Sequence, residues 1–423
     1  AEYRYRDNER GDVQLNFEED DILPTVRQSD EINSFRLGFR HAFSPESNLI
    51  GNISYQTADR KYRETPDEFF TLFDIDVNDE KAFGGELQYL HRTKLVNFVG
   101  GAGYFNTDRK DDITFAFNFP PIIREELTVD VSVDHANAYL YSYIKPSEIM
   151  TVTIGGSYDD FEPEDEETNL KKDQFNPKFG LTWNLFQNTT LRGAAFRVLK
   201  RTLITDQTLE PTQVAGFNQF FDELNATDYW VYGGAVDQKI ARNLFGGLSY
   251  TYRDLEVPFT DLTGPVPEVK TADWDETNLR LYLYWAPHDW LSLTGEYWWE
   301  DLDRKDNADQ SSPGAKNVKT HFFPIGINFF LPSGFSFSLK GTYVDQEGDF
   351  ERKDAPGIFT AGEDDFFLVD TSVSYRFPKR FGFFTVGVQN LFDEEFEYFD
   401  IDRDNPRIQP DCFVFGRITL AFP

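Results

Sequence analysis

The chain is poor in sulfur: its 423 residues include one cysteine and one methionine. The lone Cys412 excludes an internal disulfide and any cysteine-built metal cluster. No Cys-x-x-Cys-His segment is present, so the chain cannot attach a c-type haem itself. Positive charge is short as well. Against 73 Asp and Glu stand 41 Lys and Arg, a formal net charge of -32. That excludes nucleic acid as a natural partner, because a phosphate backbone wants a basic face. Long apolar runs are missing too, and nothing approaches the ~18 residues that a membrane helix needs. If this chain crosses a membrane it does so as a closed barrel, which alone also pairs every backbone group. No signal-peptide pattern stands at Ala1, so an exported form would have been processed or trimmed.

What the chain has in excess is aromatic side chains, 43 Phe and 20 Tyr among them. Aromatics favour strands and form the girdles of membrane barrels at both water interfaces. Their placement alternates. In the last run Val414, Gly416, Ile418, Leu420 and Phe422 share one face, with Phe415, Arg417 and Thr419 on the other. Leu279, Leu281, Leu283 and Trp285 oppose Arg280, Tyr282 and Tyr284 in the same way. A period of two means a strand with two different environments. The connections alternate as well. Short turns fall near Thr93, Pro146, Gln187, Ala241, His288, Ser333 and Lys379. Longer polar loops fall near 64–80, 109–128, 160–173, 200–225, 257–272, 304–315, 350–363 and 397–409. Short turns on one side and long loops on the other are the asymmetry of bacterial outer-membrane barrels, short in the periplasm and long outside.

The expected fold is therefore all-β: a transmembrane antiparallel barrel of about 18 strands, with 16 as the alternative, forming one domain over residues 1–423. Residues 1–31 read as one interrupted strand or two short ones. The segment 205–225 places Phe217, Phe220, Phe221 and Leu224 at helical spacing, so a short helix competes there with an extended loop. A barrel of this size is wider than its side chains can fill and encloses a lumen unless something plugs it.

Two stretches carry a family resemblance. The closing run DDFFLVDTSVSYRF…FTVGVQNLFDEEFEY…FGRITLAF, with Asn390-Leu391-Phe392 and the near-terminal Phe422, resembles the closing strands of TonB-dependent outer-membrane receptors. The mid-chain run FRVLKRTLITDQTLEPTQVAG, Phe196–Gly216, is similar to the segment where such barrels carry an arginine and then a Leu-(Lys/Glu)-Pro-Glu-like motif. The resemblance implies an outer-membrane barrel, without the plug domain or the TonB-binding box that precede it in that family, and some four strands short of the family's 22. Such barrels also resemble the membrane domains of exporters preceded by a helical-repeat region.

Candidate functional residues follow from the alternation. Arg36, Arg40, Glu86, Arg280, Glu296, Lys340, Asp370, Arg376 and Arg417 fall on the polar face. Charge facing lipid costs about 2–4 kcal/mol near the midplane, so that face is expected to line the lumen. Asp74, Asp76, Asn78 and Asp79, and Asp400, Asp402, Asp404 and Asn405, put oxygens at alternate positions and are candidate Ca²⁺ ligands in extracellular loops. The glycine of an EF-hand is missing from both. Asp134-His135 is the one pairing suggestive of hydrolysis, and no Gly-x-Ser-x-Gly or comparable nucleophile motif accompanies it, so no enzyme is expected. The functional expectation is a porin-like outer-membrane channel for a polar solute, ion or exported polymer, its acidic character favouring cations. The alternatives are an insulating sheath around a partner such as a cytochrome, or the export barrel of a larger polysaccharide exporter. The expected partners are outer-membrane lipid and a periplasmic domain or protein.

Overall fold

The computed structural model describes residues 1–12, 16–17, 25–64, 70–117, 123–164, 170–201, 204, 207–219, 224–261, 268–305, 314–352, 355–401, 407–409 and 411–421. One antiparallel sheet of eighteen strands contains nearly all of it. Its strands are β1 (Glu2–Arg10), β2 (Arg27–Ser44), β3 (Ser47–Glu64), β4 (Phe70–Arg92), β5 (Val96–Phe117), β6 (Ile123–Ser147), β7 (Met150–Glu164), β8 (Lys172–Phe186) and β9 (Thr189–Leu199). After the two-residue strands β10 (Gln213–Val214) and β11 (Phe217–Asn218), the wall resumes with β12 (Asp228–Ala241), β13 (Leu244–Asp261), β14 (Glu268–His288) and β15 (Leu291–Arg304). It closes with β16 (Ala315–Phe330), β17 (Phe335–Arg352), β18 (Ala355–Arg376), β19 (Gly382–Gln389) and β20 (Phe413–Leu420).

Each wall strand pairs with its neighbour in sequence, β9 with β12 across the small hairpin, so the wall is an uninterrupted meander. Among the described residues no register joins β1 to β20. The two ends of the meander nevertheless meet at the long-loop end. There Phe17 N–H donates to the Tyr398 carbonyl at 3.0 Å, and the Phe17 ring stacks on Phe350 with centroids 3.7 Å apart. The sheet has curled round on itself.

The two faces differ as the alternation requires. Phe35, Leu37 and Phe39 of β2 are exposed, as are Ile53 and Tyr55 of β3, and the belt continues through Ile325 of β16 at 64 %. A continuous apolar surface of this extent would be a liability in water and is what lipid covers. The opposite face carries Ser34, Glu86, His135, Lys178 and Gln346, all buried.

Strand length departs from the sequence expectation. A tilted membrane strand needs about 9–11 residues, yet β6 has 25 and β4 has 23. The stretches expected as loops at 64–80, 109–128, 257–272 and 350–363 are largely strand. Beyond the membrane the outer face meets water instead of lipid, so the apolar alternation stops while the ladder continues; the inner face stays buried at Val257, Phe259 and Ala272. Polar cross-strand pairs hold it instead: Thr128 to Asp112 at 2.6 Å, Ser132 to Asp108 at 2.6 Å, and Lys305 to Asp275 at 2.5 Å.

Candidate functional site

Residues 207–219, within the long connection between β9 and β12, turn inward and lie along the polar face of half the wall, from β2 to β12. Its anchors begin with Glu86 on β4. One carboxylate oxygen accepts from Thr208 Oγ1 at 2.6 Å, and both accept from Leu209 N–H at 2.9 Å. Next comes Glu210, which accepts from Arg201 Nη1 at 2.7 Å, Tyr141 Oη at 2.7 Å and Asn137 Nδ2 at 3.1 Å. The Arg201 and Glu210 side chains are 1 % and 3 % exposed, and Asp159 stands 4.0 Å from the same guanidinium. Burial pulls the Arg201 guanidinium down, but the charges of Glu210, Asp159 and Glu86 reverse that and hold it above its usual value. Gln219 completes the set, accepting from Lys178 Nζ at 2.5 Å and donating to Tyr141 Oη at 3.1 Å.

Between Glu210 and Gln219 the segment forms the β10–β11 hairpin. Its turn residues Ala215 and Gly216 both have positive φ, 49° and 84°, as a type I′ turn demands. Arg192 on β9 holds the tip, donating to the Gly216 carbonyl at 3.2 Å while its Nε binds Asp237 of β12 at 2.6 Å. The wall makes room for the hairpin by omitting side chains. A Cβ on Gly180 would lie 2.9 Å from Val214, and one on Gly233 would lie 2.5 Å from the Phe217 ring. Wall glycines here are seats for a second layer of backbone. The helix weighed for 205–225 is not formed at 213–218, which is hairpin; Phe220 and Phe221 lie outside the described residues.

A second inward segment, between β19 and β20, covers the facing wall. Gln346 of β17 brackets Phe399, accepting its N–H at 2.7 Å and donating to its carbonyl at 3.0 Å. Arg407 makes a two-pronged bond to Glu300 of β15, both contacts 2.7 Å. Phe396 stacks on Phe366 with centroids 4.1 Å apart. The lumen is thus lined on both sides by the chain's own connections, the first reaching toward the short-turn end at Leu209 and Gly216 and the second lying nearer the long-loop end.

The nine polar-face residues singled out from the sequence share the sheet face that carries these anchors. Glu86 is the one that touches the inward segment by two hydrogen bonds to a single amide. Arg280 bonds Glu296 at 2.9 Å, Lys340 lies 3.8 Å from Asp370, and Arg36 bonds Glu2 at 2.6 Å. Arg40 donates twice to Asn48, at 3.1 and 2.8 Å. Arg376 ends β18, and Arg417 stands opposite Thr385.

Of the candidate Ca²⁺ ligands, Asp400 is fully buried and its Oδ2 accepts the Arg407 N–H at 3.0 Å. Asp76 lies within β4 and is 3.7 Å from Lys61. Asp74 and Asn78 lie on the same strand with side chains outside the description, and Asp402 and Asp404 lie outside the described residues. Among the described residues no three acidic, His or Cys side chains converge. His135 does not pair with Asp134: its Nε2 meets Asp159 Oδ1 at 3.0 Å, and Asp134 accepts from Asn106 on the other face at 3.2 Å.

The sequence reading found Glu86 but missed Arg201, Glu210, Tyr141, Asp159 and Lys178. The signal was present in Leu209-Glu210-Pro211, within the stretch of mid-chain resemblance; a motif cannot say which wall residues receive it.

Compared with known proteins, residues 2–257 match the family model described as TonB dependent receptor-like, beta-barrel. Among solved structures, the chain superposes on the copper transporter OprC with a TM-score of 0.67 at 13 % identity, covering 94 % of this chain and 67 % of that one. The ferric citrate transporter FecA in its unliganded form gives 0.63 at 14 %, covering 98 % and 65 %. The siderophore receptor PiuA from Acinetobacter baumannii gives 0.62 at 12 %, covering 87 % and 61 %. The chain therefore spans about two thirds of the length of the structures it resembles. No curated protein matches it by sequence.

Proposed function

The chain belongs to the family of TonB-dependent receptor-like β-barrels, and from that premise we propose that it is a transport barrel through which a polar solute, ion or exported polymer crosses the outer membrane. Barrels of this family are transporters rather than enzymes, and they sit in the bacterial outer membrane. The observation that carries the finer reading is the pinning of residues 207–219 to the polar face of β4, β6, β8, β9 and β12 by buried charges. An inward segment held that firmly narrows the lumen and acts as its constriction. Side chains at the constriction decide what passes, through size and through the charges they present. Involvement of periplasmic TonB, or of a plug supplied from outside residues 1–423, belongs to the same proposal.

Planar-bilayer recording of the detergent-purified chain tests this. Discrete conductance steps that grow when Glu86 and Glu210 are replaced by alanine are expected. Steps of unchanged size in that variant would refute the constriction.

A further inference from the structure

The acidic composition hides a local exception on the polar face of the wall. Arg36 and Arg40 stand on the same face of β2, four residues apart, with Gly38 between them contributing no side chain. They border a cleft of about 400 Å³ whose lining also includes Ile50, Asn52 and Leu209, the last from the inward segment. That volume is in the range of small-molecule sites. Arg36 shares the Glu2 carboxylate and also donates to Gln207. Arg40 has no carboxylate partner among the described residues: both its hydrogen bonds go to the neutral Asn48 Oδ1. Arg376 and Arg417, on the strands nearest the other end of the meander, likewise make no ion pair among the described residues. Three carboxylates singled out on the same face have partners other than Arg40: Glu86 accepts from Leu209 and, at 3.4 Å, from Asn52 of the cleft wall, Glu296 pairs with Arg280, and Asp370 lies 3.8 Å from Lys340.

A guanidinium aligned by an amide and left without a counter-charge is a preformed donor for a planar or tetrahedral oxyanion. We propose that Arg40, with Arg36 beside it, forms a binding subsite for the carboxylate or phosphate group of an anionic solute. The subsite lies toward the short-turn end, since Arg40 precedes the last residue of β2 by four, or about 13 Å of strand. It deepens the transport reading by naming a substrate class, and it reverses the cation preference that net charge alone suggested. The cleft opens against Leu209, so occupant and inward segment are neighbours.

The test is calorimetric titration of inorganic pyrophosphate into the detergent-purified chain at low salt. Binding in the millimolar range or tighter is expected, weakened about tenfold or more in Arg40→Gln, as loss of a charge-assisted hydrogen bond predicts. It should vanish in Arg36→Gln/Arg40→Gln and stay unchanged in Lys270→Gln, which removes one positive charge at the far end of β14. Equal binding in the wild type and Arg40→Gln, or no binding in the wild type, overturns the subsite. Bilayer recording of the same preparations separates the two ideas. A chain that conducts but binds no pyrophosphate contradicts the subsite alone. A chain that binds but stays silent contradicts the conduit and leaves the subsite standing.

Discussion

Replacing Glu210 by alanine removes the acceptor of three hydrogen bonds and the counter-charge of Arg201 in one step. The Arg201 side chain is 1 % exposed, so its charge cannot turn to water. Removing one member of a buried pair costs roughly 3–5 kcal/mol, most of it for the charge left behind. The low end applies, because Asp159 at 4.0 Å keeps part of the attraction. The cost falls on the inward segment, which escapes it by lifting off the wall. At 1.4 kcal/mol per decade, about 3 kcal/mol raises the lifted population roughly a hundredfold. Trypsin reads that population as cleavage after Lys200, provided opening is fast relative to cutting. Cleavage of the Glu210→Ala chain in micelles should therefore accelerate by about two orders of magnitude. Glu210→Gln, which keeps neutral partners for Tyr141 and Asn137, should fall between. Arg201→Met/Glu210→Met should be slower than Glu210→Ala, since no charge is then stranded. A Glu210→Ala chain cleaved at the wild-type rate would refute the pinning argument.

Gly233→Val should unseat Phe217, whose ring would lie 2.5 Å from the new Cβ, and over-packing of this kind costs about 1–3 kcal/mol; the melting midpoint in detergent should fall while Gly234→Val, with open space around it, changes it less. On the facing wall, a double-mutant cycle of Arg407→Ala and Glu300→Ala should give a coupling of about 1–3 kcal/mol, the value for a two-pronged charged bond; additive losses would show the bond does not hold the β19–β20 segment. Cys412, exposed at the long-loop end of β20, should be labelled by a membrane-impermeant maleimide on intact cells; labelling only after the outer membrane is breached would invert the topology.

The wall was legible because lipid and lumen impose opposite demands on alternate residues. Leu279 to Trp285 and Phe413 to Leu420 show that pattern at full strength; seventeen strands are clear from it, and the first twenty residues supply the eighteenth. Legibility ended where the demand ended. At Asp76 and Asp112 lipid no longer covers the outer face, so acidic residues expected in loops lie in β4 and β5. The inward segments were illegible for a different reason. Phe217 stands out only at a helical spacing that the hairpin does not use, Phe399 and Arg407 are ordinary loop residues until a wall is placed beside them, and their partners Gly233, Gln346 and Glu300 are distant in sequence. Glu86 and Arg36, which binds Gln207, were visible from both sides, as charges on a strand's polar face. The wall glycines Gly180 and Gly233 also left a trace, since a strand tolerates glycine poorly unless something must come close.

The most direct measurement is single-channel recording of the purified chain, wild type beside Glu86→Ala/Glu210→Ala, with the reversal potential taken in a salt gradient. The transport barrel with its self-made constriction predicts discrete steps in the wild type, larger steps in the variant, and a preference for anions that Arg40→Gln weakens. Membrane-inserted protein that stays silent in both forms would contradict it.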